Sequence, residues 1–189
     1  MILTFYDLET SGLDTTSCDV LQIAYAQFDV ERFRVVRSNS FYLWEDNYHY
    51  GDGAAAVHGI QKEFLQSLPK EEMLKKYQEI FAIFNRADVI GYNNIKYDDP
   101  LLSNFMRRHA QPIILDSQQD VMDMARKYLG GKPGKLVDLP AKLGIPQSLI
   151  YTWQKILFKN ETKAHDATYD VASTFVCFDM INRRRASGI

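Results

Sequence analysis

The first strand of this chain carries two acidic residues in a stretch that is otherwise typical of a buried strand. Residues 1–10 read MILTFYDLET, an apolar and β-prone run in which one residue separates Asp7 from Glu9. Side chains alternate between the two faces of a strand, so both carboxylates are expected on one face and Leu8 on the other. Two like charges side by side disfavour folding unless a cation neutralises them. The sequence therefore predicts a cation beside this strand.

Further strand-like segments follow along the chain. Residues 19–30 and 32–44 read as two strands with a turn near Glu31 and Arg32. So short a link between sequential strands favours an antiparallel meander. Two shorter apolar segments are expected to complete a mixed five-stranded sheet: ADVIGYN, residues 87–93, and PIILD, residues 112–116.

Apolar residues at helical spacing predict helices in the second part of the chain. The expected helices are 70–84, one that begins near Pro100, 117–129, a short one closed by Gly144, and a last one from about Asp166 to Arg183. Residues 51–60 read as a loop or short turn. The GGKPGK stretch, residues 130–135, reads as a loop, since it lacks the spacing of a phosphate-binding loop. The fold class is therefore α/β, with a mixed sheet flanked by helices.

Length and composition narrow the possible functions. With 189 residues and no Pro/Gly/Ser-rich linker, we expect a single domain over residues 1–189. A net charge of −2 argues against a bulk electrostatic nucleic-acid binder but leaves room for an enzyme with a local basic groove. Cys18 and Cys177 lie far apart in apolar contexts, so we expect reduced thiols in a cytoplasmic protein. Neither a signal peptide nor a membrane-spanning run is visible, so we expect no membrane association.

Two further stretches place polar, ionisable residues next to expected helix ends. Asp98 and Asp99 follow a strand that ends in GYNN, and His165 precedes Asp170 by five residues. Each has a structural explanation on its own: an aspartate can cap the helix at Pro100, and Asp170 or His165 can be solvated. If Asp166 is the N-cap of the last helix, His165 lies just outside the helix while Asp170 reaches in from the first turn.

Together with the pair on the first strand, these residues predict a metal site. Carboxylate clusters without Cys or paired His prefer hard cations such as Mg²⁺ or Mn²⁺. Two such ions about 4 Å apart can clamp the attacking and leaving oxygens of a phosphodiester. A nearby histidine can then remove the proton of the attacking water.

The stretches DLETSGLD, GYNNIKYD and HDATYD resemble, in order and spacing, the three signature motifs of the DEDDh-type 3′→5′ exonuclease family. This family includes the proofreading epsilon-subunits of bacterial replicative polymerases, oligoribonuclease and RNase T. The segments AVHGIQKEFL and ILDSQQDVMDMARKYL are similar to further family segments, so the resemblance covers essentially the whole chain. It implies an RNase H-like fold and two-metal hydrolysis of phosphodiester bonds from a 3′ end, which releases nucleoside 5′-monophosphates.

The resemblance also implies residue roles. The metal-binding acids would be Asp7, Glu9, Asp98 and Asp170, holding two Mg²⁺ for which Mn²⁺ can substitute. His165 would be the general base. The residues implied to contact the substrate near its 3′-terminal nucleotide are Thr10, Leu13, His58 and Asn94. Asp98 is preferred to Asp99 as the second acid because Tyr97 fills the aromatic position before it.

Three features depart from the family pattern or leave a choice. Asp166 places a negative charge beside His165, where relatives often carry a basic residue. The segment 144–164 is longer than expected, and its Tyr151 and Trp153 either stack on bases or, as we favour, pack on a helix face. The basic stretches MRRHA and NRRR are interpreted as helix-dipole partners and solubilising charges rather than phosphate contacts.

The exonuclease interpretation has two alternatives. One is a non-catalytic module on the same fold that holds a nucleic-acid end or a protein partner. Loss of an acid or of the histidine would signal it, and neither is lost. The other is an RNase H-like endonuclease or phosphoryl-transfer enzyme of another branch, in which HDATYD would lack a role. The expected partner is a single-stranded or frayed 3′ end of DNA or RNA, with a polymerase, another nucleic-acid-processing complex or a homodimer left open.

Overall fold

Five strands form one mixed sheet in the computed structural model of the chain, which describes residues 1–160, 162 and 165–188. The strands are β1 (Ile2–Thr10), β2 (Val20–Asp29), β3 (Arg34–Tyr42), β4 (Asp88–Gly91) and β5 (Ser117–Asp120). Their order is β3-β2-β1-β4-β5. The pairs β1–β2 and β2–β3 are antiparallel, and β1–β4 and β4–β5 are parallel. The predicted five-stranded mixed sheet with its antiparallel meander is confirmed.

Helices cover both faces of this sheet. They are α1 (Asp52–His58), α2 (Lys62–Gln66), α3 (Met73–Phe84), α4 (Asp98–Arg108), α5 (Val121–Leu129), α6 (Leu139–Lys142), α7 (Gln147–Phe158) and α8 (Ala167–Ala186). Short 3₁₀ turns precede α3 and α6. Because β1 alternates, Tyr6 and Leu8 pack in the cluster that includes α3 and α4, while Leu3 and Phe5 pack against α8. Asp7 and Glu9 have the same parity as Phe5 and therefore lie on the α8 face.

Two sequence-based predictions of elements were wrong. Residues 51–60 contain the helix α1, which Gly59 ends in the left-handed conformation with φ of 72°. Its alanine run has high helix propensity, and the glycine is a common C-terminal cap. PIILD is not a strand, because β5 follows it and pairs Ser117–Asp120 with Asp88–Gly91. The predicted helix over 117–129 therefore begins only at Val121.

The remaining predictions agree with the structure in type, with small shifts at the ends. The helix expected near Pro100 begins at Asp98, and α8 runs from Ala167 to Ala186. Cys18 and Cys177 are free and buried, as predicted. Within the part of the chain that the structure describes, no helix is both long and apolar enough to cross a membrane.

Candidate active site

Three predicted metal-binding acids converge at the face of β1 that α8 covers. Asp7 and Glu9 project from β1, and Asp170 projects from the first turn of α8. Each offers a carboxylate oxygen, and these oxygens all lie within 4.8 Å of one another. Residues more than 160 positions apart in sequence thus form one acidic cluster, because α8 packs across the strand that carries the first two.

The start of α8 places His165 beside this cluster. Asp166 is the N-cap of α8, and its side chain accepts a hydrogen bond from the Thr168 amide at 3.0 Å, so the predicted cap is confirmed. His165 lies immediately outside the helix in the left-handed region, with φ of 64°. Its backbone N–H donates to Asp170 Oδ2 at 3.2 Å, and its side chain is exposed. An imidazole at this position is accessible to solvent and adjacent to a cluster acid.

The other aspartate pair divides into one residue at the cleft and one in the interior. Asp98 lies at the N-terminus of α4 and, with Glu9, lines a surface cleft. Asp99 is buried and accepts hydrogen bonds from the Tyr6 hydroxyl and from Asn94 Nδ2. This geometry supports Asp98 as the second acid, since the carboxylate of Asp99 is already bound inside the protein.

Asn94 lies beneath the cleft. Its side chain is fully buried, and its backbone oxygen accepts from the amides of Tyr97 and Asp99 at 3.1 and 2.9 Å. Gly91 allows this close approach, since a Cβ there would lie 2.5 Å from Asn94 Cβ. Asn94 is thus hydrogen-bonded to the start of α4, and its fully buried side chain does not line the cleft that contains Glu9 and Asp98.

The electrostatics of the four acids favour a bound cation. Burial raises the pKa of all four, to about 9 for Glu9 and to about 7 for Asp98 and for Asp170. The charges of Asp170, Asp98 and Glu9 further raise the pKa of Asp7. Among the described residues, none of these acids takes part in an ion pair with Lys or Arg. Neighbouring carboxylates with no ion-pair partner among the described residues form the kind of site that divalent cations occupy.

The predicted substrate-binding residues Thr10, Leu13 and His58 line one cleft beside these acids. The cleft has a volume of about 550 Å³, within the range of small-ligand sites. Leu13 is 82% exposed at its edge. Thr10 Oγ1 donates to the carbonyl of Gly12 at 2.7 Å, which holds the turn that carries Leu13. Thr10, Leu13 and His58 are thus brought together, and Asn94 is not.

His58 presents an unused hydrogen-bond donor. The Ile60 amide donates to Nδ1 at 3.0 Å, so the neutral ring carries its proton on Nε2. Burial lowers the pKa of His58, partly offset by the nearby backbone of Thr10, and keeps the ring neutral near pH 7. Nε2 is buried and has no partner with hydrogen-bond geometry among the described residues. A ligand acceptor in the cleft would satisfy it.

Sequence reasoning missed the role of Arg108, in the MRRHA stretch that was interpreted as dipole and solubility charge. Its guanidinium donates to the carbonyls of Thr16 and Cys18 at 2.9 and 2.6 Å and to Asp19 Oδ1 at 3.0 Å. These bonds tie the last turn of α4 to the loop after β1, which carries Leu13. A long-range contact of this kind has no local signal in the sequence.

The favoured packing role of α7 is confirmed. The Trp153 ring packs against Phe175 at 4.5 Å between centroids and lies near Phe28 and Phe33. Tyr151 makes an edge contact with Tyr169 at 5.7 Å. Both rings contact the protein itself, on the side of the sheet that carries α8.

With this fold and acidic site in place, comparison with known proteins shows the family. The family model described as RNase T exonuclease matches residues 4–178, so the chain belongs to this exonuclease family. The three acidic motifs and His165 place it in the DEDDh branch, and the predicted RNase H-like fold is confirmed.

This chain is similar to one part of several longer proteins. Exodeoxyribonuclease I of Buchnera aphidicola subsp. Schizaphis graminum is 26% identical over 194 residues, which covers 96% of this chain and 39% of the relative. The crystal structure of Escherichia coli exonuclease I with a dT13 oligonucleotide has a TM-score of 0.75 at 22% identity and covers 98% of this chain and 42% of that one. A zinc-bound form of the E. coli ExoI–ssDNA complex has a TM-score of 0.70 at 24% identity, covering 98% and 41%. The chain thus spans about two fifths of the length of these relatives.

Proposed function

We propose that this chain is a metal-dependent 3′→5′ exonuclease that removes nucleoside 5′-monophosphates from single-stranded or frayed 3′ ends, mainly of DNA. The observation that carries the proposal is the convergence of Asp7, Glu9 and Asp170 within 4.8 Å, next to Asp98 and an exposed His165. The preference for DNA is supported by the exodeoxyribonuclease I relatives and by the dT13 oligonucleotide bound to one of them.

The donor set of the site fits Mg²⁺ or Mn²⁺. All its ligand atoms are carboxylate oxygens, the donors that hard divalent cations prefer, and burial, together with the charges of neighbouring acids, raises the pKa values of Asp7 and Glu9. A relative that binds a zinc ion supports a divalent site in general. We propose that Asp7, Glu9, Asp98 and Asp170 hold two ions. When bound, such ions lower the pKa of a water and neutralise charge on the leaving oxygen.

The other residues of the site then bind substrate and move a proton. His165 Nδ1 or Nε2 accepts the proton of the attacking water, because its ring is exposed beside the cluster. Leu13 packs against the terminal base from the edge of the cleft, where its side chain is 82% exposed. His58 Nε2–H donates to an oxygen of the terminal nucleotide, which satisfies its otherwise unpaired donor.

The test uses 5′-labelled single-stranded DNA and RNA of matched sequence, with Mg²⁺, Mn²⁺ or EDTA. Wild type is expected to give a ladder that shortens from the 3′ end, more strongly on DNA, and to lose it in EDTA. Asp7→Asn removes a cluster acid, whereas Asp123→Asn changes an exposed acid on α5 and serves as the matched control. Folded wild type that binds DNA with metal but leaves it intact would favour the binding-module alternative, and internal cuts would favour an endonuclease.

Three expectations stay predictions: association with a polymerase or another nucleic-acid-processing complex, homodimer formation, and a cytoplasmic location. The first two concern surfaces away from the acidic cluster. Size-exclusion chromatography with light scattering measures the oligomeric state directly.

A further inference from the structure

A glutamine occupies a core-facing position of α7 that would ordinarily be apolar. The buried residues of α7 are Ile150, Gln154 and Leu157, and Gln154 is fully buried among them. A buried amide is costly unless its hydrogen-bonding groups are all paired. The hydrogen-bond partners of Gln154 therefore indicate which part of the structure this side chain holds in place.

Its partners are two threonines on either side of His165. Gln154 Nε2 donates to Thr162 Oγ1 and, at 2.9 Å, to Thr168 Oγ1. Gln154 Oε1 accepts from the Thr162 amide at 3.2 Å. Both N–H groups and the carbonyl of the Gln154 amide are thus hydrogen-bonded. Two of these three bonds are made with Thr162.

Asp166 joins the same set of bonds. Its Oδ1 accepts from Thr162 Oγ1 at 3.0 Å, from the Thr168 amide at 3.0 Å and from Thr168 Oγ1 at 2.6 Å. Gln154, Thr162, Asp166 and Thr168 form one connected group, called here the Gln154 cluster. It gives Asp166 a role that does not depend on substrate.

The Gln154 cluster fixes the chain on both sides of the candidate general base. Thr162 lies three residues before His165 and Asp166 one residue after it, and both are bonded within the cluster. The His165 ring itself is exposed, and its backbone N–H is bonded to Asp170. The cluster thus adds to the other restraints on this turn with its positive φ, which include that bond and a contact of Gln22 Nε2 with Asp166 Oδ2 at 3.5 Å.

We propose that Gln154 is a positioning residue for His165: through Thr162 and Asp166 it holds the turn that presents the imidazole to the acidic cluster. The proposal rests on the proposed exonuclease function for its kinetic consequence. It also gives the segment that contains α7 a part in the site, beyond the packing of Trp153 on the core.

The kinetic test combines two substitutions. Gln154→Leu keeps the volume but removes every hydrogen bond, and we expect kcat to fall by about tenfold with KM unchanged within about twofold, since a general base contributes about 10²–10⁴-fold only when correctly placed. In a His165→Ala background the same substitution is expected to have no further effect on kcat. An equal loss in both backgrounds would overturn the proposal, because Gln154 would then act through stability or metal binding.

Thr162 provides a conservative pair of variants. Thr162→Ser keeps the hydroxyl and is expected to retain wild-type kcat, whereas Thr162→Val removes it and should behave as Gln154→Leu does. Equal kcat values for the two variants would contradict the role of this hydroxyl. Isothermal titration of Mn²⁺ into wild type, Gln154→Leu, Thr162→Ser and Thr162→Val should give the same affinity within about twofold, since no substitution removes an acid or changes a charge of the acidic cluster.

A measurement without substrate separates this proposal from the proposed function. Amide hydrogen exchange of His165 followed by NMR is expected to quicken by about tenfold in Gln154→Leu, while amides of β1 exchange as in wild type. Unchanged exchange at His165 would overturn the positioning role whether or not the protein cleaves DNA. Quickened exchange in a protein that cleaves nothing would retain the positioning role and reject the exonuclease.

Discussion

Asp7 and Glu9 stand on a strand that is paired with β2 on one side and β4 on the other, whereas His165 stands in an exposed turn outside α8. The two acids are held by backbone hydrogen bonds and by a core in which Phe5 packs on Phe175 at 5.1 Å. The histidine is held by one backbone bond and by the side chains of the Gln154 cluster. The two acids of β1 and the base of the same site thus depend on different parts of the fold.

This difference follows from the different chemical roles of the acids and the histidine. Carboxylates that repel one another must be fixed by a rigid frame, because a mobile frame would relax and separate them. A proton acceptor needs access to water and substrate, so it lies where backbone pairing ends. Substitutions in the first region should therefore affect metal binding, and those in the second should affect only the chemical step.

Asp7→Asn should have the largest effect. It removes a charge and a ligand oxygen from the acidic cluster, so we expect kcat with Mg²⁺ to fall on the order of 10³-fold or more. Because the remaining acids repel one another less, the melting temperature in EDTA should rise or stay unchanged. Single-turnover assays and thermal unfolding measure the two quantities. A stable variant with near-wild-type kcat would remove Asp7 from the site.

His165→Ala should have the next largest effect, confined to the chemical step. Loss of a general base is expected to lower kcat by about 10²–10⁴-fold, while the affinity for Mn²⁺ and the melting temperature stay as in wild type. Calorimetric titration and thermal unfolding provide the controls. Weaker Mn²⁺ binding in this variant would contradict the separation of the two regions, because the histidine would then help to hold the metal-binding acids as well.

The free energy of unfolding of the metal-free protein should fall as pH rises. The folded protein raises the pKa of Glu9 to about 9 from 4.5, and that of Asp98 and Asp170 to about 7 from 3.8. Each group then binds its proton more tightly in the folded state. The stabilisation is fully present below the unfolded pKa values and is lost as pH rises through the folded ones.

Urea unfolding in EDTA between about pH 5 and about pH 9 measures this slope. Glu9→Gln should flatten the upper part of the curve. Added Mn²⁺ should stabilise more at high pH, where the acids are ionised and free to bind it. Stability that increases from pH 5 to pH 9 in EDTA would contradict the raised pKa values that burial gives these acids.

The sequence could predict the acidic cluster because the signals for it are local. Alternation along β1 places Asp7 and Glu9 on one face, and an N-cap at Asp166 places Asp170 in the first turn of a helix. The order of the motifs then predicted their convergence. The element type of the long periodic segments, such as α3 and α8, was predictable for the same reason.

What could not be predicted depends on tertiary contact. β5 is the polar tetrapeptide SQQD, and only its pairing with β4 makes it a strand. Gln154 looks like an ordinary surface amide in the sequence, yet it is fully buried and bonded to Thr168. Side chains of this kind gain their role only when the fold supplies their partners.

Tyr6→Phe should have the smallest effect and tests how the second acid is supported. It removes the hydroxyl that donates to buried Asp99 but keeps the ring that packs on Phe84 at 5.1 Å. Leaving a buried carboxyl short of one donor should lower the free energy of unfolding by about 1–3 kcal/mol. Because Asp99 anchors the start of α4, Mn²⁺ affinity should also fall, by less than about tenfold.

Tyr25→Phe is the matched control for this substitution. Tyr25 also packs on Phe84, at 6.1 Å, and its hydroxyl donates to Glu79, away from the acidic cluster. It should lower the free energy of unfolding without changing Mn²⁺ affinity. One outcome is that both tyrosine variants are less stable while only Tyr6→Phe binds Mn²⁺ more weakly. In that case the position of Asp98 depends on the hydrogen bond from Tyr6 to Asp99. If Tyr6→Phe leaves Mn²⁺ affinity unchanged, Asp98 is held by the α4 backbone alone.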